Sequence, residues 1–167
     1  MNRGSALAQF DALLPLAIAW ATEQEACILR DGVPLSETQL ADAGAIGVKA
    51  PGQIRLLRVD TMPRPSDAQL RAACDAIDFL TPATRGLTFR YGIYVRSDCW
   101  GDRSLILHEL AHTAQYERLG GIDAFLRKYL FECVTLGYPA APLEQEAIAV
   151  AARLTEQPNF TRGTYAA

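Results

Sequence analysis

Two histidines, the only ones among the 167 residues, stand four positions apart in the stretch LILHELAHTAQY. On an α-helix, such positions lie about 40° apart around the axis and about 6 Å apart along it. Imidazoles placed this way can direct nitrogens at one metal ion about 2 Å from each. The spacing of His108 and His112 therefore predicts a helix, and it requires a fold that brings a third ligand from another segment.

Glu109, beside the first histidine, completes an HExxH pattern. On a helix this glutamate lies on the flank of the histidine face, too far round to bind the ion from that turn. It can reach a water held by the metal and take its proton. Because zinc lowers the pKa of such a water from about 15.7 towards 7, a carboxylate can complete the deprotonation at neutral pH. We therefore predict Glu109 as general base and then general acid.

The apolar residues of this segment fall on the side of the helix opposite the histidines. Those that we expect to face the core are Leu107, Leu110, Ala111 and Ala114. Those that we expect on the other side are His108, His112, Gln115 and Tyr116. A short pattern such as HExxH can arise by chance, but its place on an amphipathic helix and its use of every histidine favour a metal site at the floor of a cleft.

The third ligand must be a carboxylate if the site has the usual three protein ligands of a catalytic zinc centre, because no histidine remains. The later segment PLEQEAIAVAARL, predicted to be a helix, offers two. Glu144 shares a side with Ile148 and Ala151, whereas Glu146 shares a side with Ala149 and Arg153. A metal ligand belongs at the buried edge of a helix, which favours Glu144 and leaves Glu146 as the alternative.

The order of these motifs resembles the gluzincin zinc metallopeptidases, in which HExxH is followed one or two helices later by a glutamate ligand. The segment EQEA is similar to the ExxA part of the motif in the CAAX prenyl protease group, which implies Glu144 as the zinc ligand. The acidic residue that usually follows that alanine is replaced here by Ile148. The last 80 residues or so also resemble compact bacterial HExxH domains of uncharacterised substrate. The resemblance implies a zincin fold, Zn²⁺ and peptidase activity.

Hydrophobic periodicity and turn residues predict helices and two strands. The predicted helices are Ser5–Arg30 with a restart at Pro15, Ser36–Ala43, one opened at Ser66 by a capping box with Gln69, Asp102–Leu119, Ile122–Leu136 and Pro142–Leu154. The predicted strands are Gln53–Asp60 and Leu87–Arg96, the second with Gly92 as a bulge or a point of close approach. In zincins an edge strand pairs with an extended substrate, and Leu87–Arg96 is either that edge or a purely structural strand. The tail, with its Asn159-Phe160-Thr161 glycosylation pattern, is predicted to be irregular.

These elements predict one α+β domain over residues 1–167 that is mostly helical. The resemblance implies that this domain is zincin-like, with a small sheet over the active helix. The net charge of −3 argues against a nucleic-acid partner, because phosphate binding needs concentrated Lys and Arg. The four widely spaced cysteines are predicted to be buried free thiols. The apolar run Ala12–Ala21 is predicted to be a core helix, too short to span a membrane, in a cytoplasmic protein.

We therefore expect a zinc-dependent metallohydrolase, a peptidase acting on a peptide or protein, with His108, His112 and Glu144 as metal ligands. Tyr138 is the predicted catalytic donor to the developing oxyanion, with Tyr116, Tyr129 and Arg127 as alternatives. Gln115 is expected to orient a ligand or the substrate. The alternative function is a non-catalytic zinc-binding or regulatory module with the same fold. The oligomeric state does not follow from the sequence.

Overall fold

A computed structural model describes residues 2–156 of the chain. The elements, in order, are α1 (Arg3–Ala8), α2 (Phe10–Asp31), β1 (Val33–Pro34), α3 (Glu37–Ile46), β2 (Arg55–Val59), α4 (Ala68–Ala76), β3 (Gly86–Phe89), β4 (Gly92–Arg96), α5 (Arg103–Leu119), α6 (Ile122–Leu136) and α7 (Pro142–Thr155). Helices predominate and the strands form one small open sheet, so the α+β class is as predicted. The glycosylation pattern at Asn159 and most of the predicted tail lie outside the described residues.

The four strands lie in the order β1-β2-β4-β3, with β2 and β4 parallel and the other pairs antiparallel. One face of the sheet packs through Leu87, Phe89 and Tyr94 on α2. The other face packs through Ile93 and Val95 on α3 and α5. Because helices cover both faces, apolar side chains on both sides of β3 and β4 are buried.

The predicted strand Leu87–Arg96 is instead a hairpin, in which Arg90 and Tyr91 separate β3 from β4. Arg90 has a positive φ of 54°, and its guanidinium donates two hydrogen bonds of 2.8 Å to Glu25 on α2. The main-chain N–H of Tyr91 donates to the same carboxylate. Gly92 is the first residue of β4 rather than a bulge, but a side chain there would lie 3.0 Å from Ile28, so the predicted close approach is confirmed.

The first helical segment is interrupted at Gln9, not at Pro15, which lies inside α2. Within the predicted core run, Leu14, Ala17 and Ala21 are buried, and Leu7, which precedes the run, is exposed. By length and composition, α2 is the one helix of residues 2–156 that could cross a membrane, and 33% of its most apolar window is buried in the protein. The apolar run Ala12–Ala21 is therefore part of a longer helix, and the length of the run does not by itself argue against a membrane span.

The ends of the last three helices agree with the prediction. Helix α5 ends at Gly120 and α6 at Gly137, both with positive φ, and Pro142 occupies the first turn of α7. Ser36 caps α3 through a capping box with Gln39. Helix α4 is capped by Asp67 rather than Ser66, because the Asp67 carboxylate accepts the N–H groups of Gln69 and Leu70.

The four cysteines form no disulfide, as predicted. Cys74, Cys99 and Cys133 are buried and Cys27 is half-buried. Burial raises the pKa of the Cys74 thiol to about 11, so this thiol is protonated at neutral pH.

Candidate metal centre

Helix α5 carries the HExxH pattern through the middle of the protein. Its start is fixed by the Asp102 carboxylate, which accepts the N–H of Leu105. The side bearing Leu110 packs on the sheet, as predicted. The opposite side is also largely buried, because His112 and Gln115 are only 7% and 1% exposed. Helix α5 is therefore buried on both sides, and its histidine side lines a cavity.

Three side chains converge on this side of α5. His108 Nε2 lies 3.1 Å from His112 Nε2 and 3.2 Å from Glu144 Oε1, and His112 Nε2 lies 3.3 Å from Glu144 Oε2. Ligand atoms about 2.0–2.1 Å from a tetrahedral zinc ion lie about 3.3 Å from one another. The separations are close to this value, with each histidine facing a different oxygen of Glu144. One donor atom from each of the three residues lies within 4.8 Å of the others, so the group could hold a metal ion such as zinc. The same donors also suit other divalent transition metals.

Glu144 and Glu146 begin the same helix but face different surroundings. Glu144 is 2% exposed and reaches both histidines. Glu146 binds the Arg118 guanidinium through two hydrogen bonds of 2.7 and 2.8 Å, at a partly exposed position. The structure therefore brings Glu144 to the histidines and directs Glu146 away from them.

Gln115 fixes the orientation of the His112 ring. The Gln115 side-chain nitrogen donates to the carbonyl of Leu143 at 2.8 Å, so its oxygen is the atom that faces His112 Nδ1 at 2.9 Å. An amide oxygen only accepts hydrogen bonds, so Nδ1 carries a proton, and in the neutral ring, the form that binds a metal, the lone pair is on Nε2. This is the usual way in which an outer partner prepares a histidine for metal binding.

Glu144 is ionised although it is buried. Burial opposes its ionisation, but hydrogen bonds with His108 and His112 lower the pKa of this carboxyl below its usual range. Burial also opposes the charged form of His108, yet the hydrogen bond to Glu144 and the charges of Glu109 and Glu144 raise the pKa of this imidazole overall. The hydroxyl of Tyr129 donates to Glu144 Oε2 at 2.9 Å and further fixes the carboxylate.

Glu109 is held by the edge strand β3. The hydroxyl of Thr88 donates to Glu109 Oε2 at 2.6 Å. A Cβ atom on Gly86 would lie 2.3 Å from Glu109 Oε1, so only glycine leaves room for the carboxylate. The sequence analysis did not identify Thr88 or Gly86 as part of the site. The one indication in the sequence is that their strand comes directly before the HExxH helix.

Five acidic side chains are buried within residues 2–156: Glu25, Asp42, Glu109, Glu132 and Glu144. Three of them pair with a permanent cation, namely Glu25 with Arg90, Asp42 with Arg103 and Glu132 with Lys128. In this part of the chain, Glu109 and Glu144 are the two buried acids without a lysine or arginine partner. Since an isolated buried charge is costly, they mark the place where an external cation is most strongly favoured.

The four candidate oxyanion donors occupy different places. The Tyr116 hydroxyl donates to the carbonyl of Thr88, and the Tyr129 hydroxyl donates to Glu144. Arg127 is exposed on the outer surface of α6, near Asp123. Tyr138 lines the cavity that contains the metal centre, and burial together with the charges of Glu144 and Glu109 raises its pKa. Tyr138 thus remains a protonated donor at neutral pH.

A cavity of about 630 Å³ contains the centre. His108, Glu109, His112 and Glu144 line one part of it, and most of the remaining wall is apolar. Strand β3 borders this cavity and is an edge of the sheet, whereas β4 lies between β2 and β3. Only the first half of the predicted edge strand is therefore at an edge.

Comparisons of the chain with protein-family models, with curated proteins and with solved structures find no match. The functional argument therefore depends on the residues and geometry of the site itself.

Proposed function

We propose that the protein is a zinc-dependent metallohydrolase that cleaves amide bonds, as a peptidase does, with a zincin-like arrangement of the active helix and sheet. The observation that carries the proposal is the convergence of His108, His112 and Glu144 at zinc-compatible separations, beside the buried Glu109. These three residues would hold the metal. When bound, zinc supplies Lewis acidity, which polarises a carbonyl and lowers the pKa of water.

The protein's own residues supply the proton transfers. Glu109 takes a proton from the attacking water and delivers it to the leaving nitrogen, while Thr88 keeps its carboxylate in one orientation. The water oxygen bonds to the carbonyl carbon and the C–N bond breaks, which gives a carboxylic acid and an amine. Tyr138 donates a hydrogen bond to the carbonyl oxygen as negative charge develops on it.

Two observations support catalysis over a purely structural metal site. Structural zinc sites are closed, with four protein ligands, whereas this one has three and faces a cavity. A structural site also has no use for a buried carboxylate next to the ligands, and Glu109 is 4% exposed with β3 shaped around it.

The experiment that tests the proposal compares the native chain with His112→Ala and Glu109→Gln. Metal content is measured by mass spectrometry after purification and after incubation with zinc, and cleavage is measured on a peptide library. We expect about one zinc per chain in the native protein and in Glu109→Gln, and none in His112→Ala. Cleavage is expected to fall by at least about 10²-fold in Glu109→Gln.

The possible failures have different meanings. A native protein without metal, even after zinc is offered, would overturn the metal site. Full cleavage by Glu109→Gln would overturn the role of Glu109. A zinc-loaded protein that cleaves no amide would favour the non-catalytic module.

A further inference from the structure

The cavity extends well beyond the metal centre. Beside the ligands, its wall includes Leu14, Ala17 and Trp20 on α2, Ala73 on α4 and Leu126 on α6. A cavity of about 150 Å³ accommodates one benzene molecule. A single apolar side chain of a peptide would therefore leave most of the 630 Å³ unfilled.

The chemistry of the wall selects between a peptide segment and a hydrocarbon chain. The side chains from α2, α4 and α6 that line the cavity are mainly aliphatic or aromatic, and the main-chain polar groups of these helices are bonded within the helices. A peptide segment carries an N–H and a C=O group at every residue, and burying them without partners is costly. A hydrocarbon chain has no such groups and gains from leaving water.

Away from the metal centre, polar lining residues belong to the segment 78–85 and to the start of α5. Asp78, Arg85 and Ser104 are exposed there, and Arg85 pairs with Asp102. The exposed lining also includes Tyr138 and Ile148, so polar and apolar groups both border the mouth. The interior is mostly apolar, and the metal centre lies in the same cavity. This arrangement suits a substrate with an apolar chain at one end and a polar group at the other.

We propose that the cavity binds the hydrocarbon chain of an acylated substrate, an N-acyl amine or N-acyl peptide, whose amide bond lies at the metal centre. The position of the amide bond rests on the proposed function, whereas the binding of the chain rests on the cavity alone. Hydrolysis breaks the C–N bond, adds the water oxygen to the acyl carbon and transfers a proton to the nitrogen. The products are a fatty acid, whose chain lies in the cavity, and an amine that leaves through the mouth.

Trp20 provides a direct test, because it lines the cavity while the second tryptophan, Trp100, is exposed. Fatty acids that carry bromine on the chain quench tryptophan fluorescence on contact, and we would titrate a series of increasing length. We expect saturable quenching of tryptophan fluorescence in the native protein. In Trp20→Phe, we expect only the quenching that arises from the exposed Trp100. The affinity should rise about threefold to fourfold per added methylene until the chain fills the cavity. No quenching at any length, or equal quenching in Trp20→Phe, would overturn the proposal.

The same titration in His108→Ala separates the two proposals. Quenching that persists there supports chain binding whether or not zinc binds to the native protein. If a folded His108→Ala variant shows no quenching, the proposal that the cavity binds the hydrocarbon chain without the metal centre is overturned.

A filled cavity gives the second test. Ala73→Phe places a large side chain in the cavity, and Ala72→Phe, on the same helix and similarly half-buried, does not line it. We expect at least tenfold weaker binding of the brominated acid in Ala73→Phe and a change within twofold in Ala72→Phe, with folding checked by thermal unfolding. Equal affinities would overturn the proposal. If Ala73→Phe does not fold, the dependence of affinity on chain length in the native protein decides.

A competition experiment tests the preference for a hydrocarbon chain over a peptide. An apolar dipeptide amide that displaces the brominated acid as well as a long-chain acid does would overturn that preference.

Discussion

Two buried glutamates, Glu25 on α2 and Glu144 on α7, have different partners. Glu25 is 4% exposed and receives two hydrogen bonds of 2.8 Å from the Arg90 guanidinium and one from the N–H of Tyr91. Glu144 is 2% exposed and faces two imidazole nitrogens at 3.2 and 3.3 Å. Among residues 2–156, the first carboxylate has a permanent cation as its partner and the second does not.

The difference distinguishes a structural role from a binding role. Glu25 and Arg90 complete each other, and their effect is to hold the hairpin of β3 and β4 on α2. The neutral imidazoles around Glu144 can each offer a lone pair, so under the proposed function a metal ion would complete the group. A buried carboxylate thus indicates a site when the cation that it needs is not part of the chain.

The largest expected effect comes from Glu144→Gln, which removes the anionic ligand. We expect the affinity for zinc to fall by more than about 100-fold, beyond the loss that follows removal of an outer partner. The measurement is a competition titration against a chelator. Glu146→Gln, two positions along the same helix, is the control and should leave the affinity unchanged. Equal losses in both variants would contradict the assignment of Glu144.

Arg90→Ala tests the other carboxylate. Breaking a fully buried ion pair costs about 3–5 kcal/mol, and because the Arg90 side chain is 40% exposed we expect a loss of about 2 kcal/mol in the free energy of unfolding. Denaturant unfolding measures it, and zinc content should not change. The control is Arg118→Ala, which breaks a more exposed pair and should cost less than about 1 kcal/mol. A loss of zinc in Arg90→Ala would contradict the conclusion that Glu25 has a structural role and Glu144 a binding role.

Gln115→Leu sharpens the contrast, because it changes the ligand geometry without removing a ligand. The His112 ring loses the partner that keeps its proton on Nδ1. We expect the affinity for zinc to fall about tenfold to 100-fold, in the same chelator titration. Gln145→Leu, an exposed position on α7, is the matched control. An affinity like that of the native protein in Gln115→Leu would show that the hydrogen bond does not position the ring.

Gly86→Ala extends the comparison to Glu109, the third of these buried glutamates. The added methyl group would displace the carboxylate, so we expect a rate of amide hydrolysis on the order of tenfold lower with unchanged zinc content. Gly44→Ala is the control, because a side chain at that position in α3 meets nothing within 4 Å. An unchanged rate in Gly86→Ala would argue against Glu109 as the base in this orientation.

The sequence predicts the C-terminal half of the fold well because its signals are local. Gly120, Gly137 and Pro142 set helix boundaries through their own backbone preferences. The choice of Glu144 over Glu146 also follows from the pattern of a single helix. Periodicity carries such information without any knowledge of the rest of the chain.

The hairpin and the support of the site depend on distant contacts. Apolar and polar residues alternate without a break through Arg90, so the sequence predicts one strand where the structure has a turn. The turn is held by a hydrogen bond to Glu25, which is far away in the sequence. Thr88 and Gly86 contact Glu109 only because β3 lies beside α5. No local pattern in the sequence indicates these contacts, so the sequence predicts the three clustered side chains but not the residues that position them.

The main chain of Leu143, the residue before Glu144, is held on both sides. Its N–H donates to Glu132 Oε2 on α6, and its carbonyl accepts from Gln115 on α5. Fixing the backbone of one residue costs about 1–2 kcal/mol of conformational entropy, and here this ordering is complete when the chain has folded. If the three residues bind a metal ion as proposed, the ion meets a carboxylate that is already in place. We then expect the rate of metal capture to depend on the ion's passage through the cavity rather than on a rearrangement of α7.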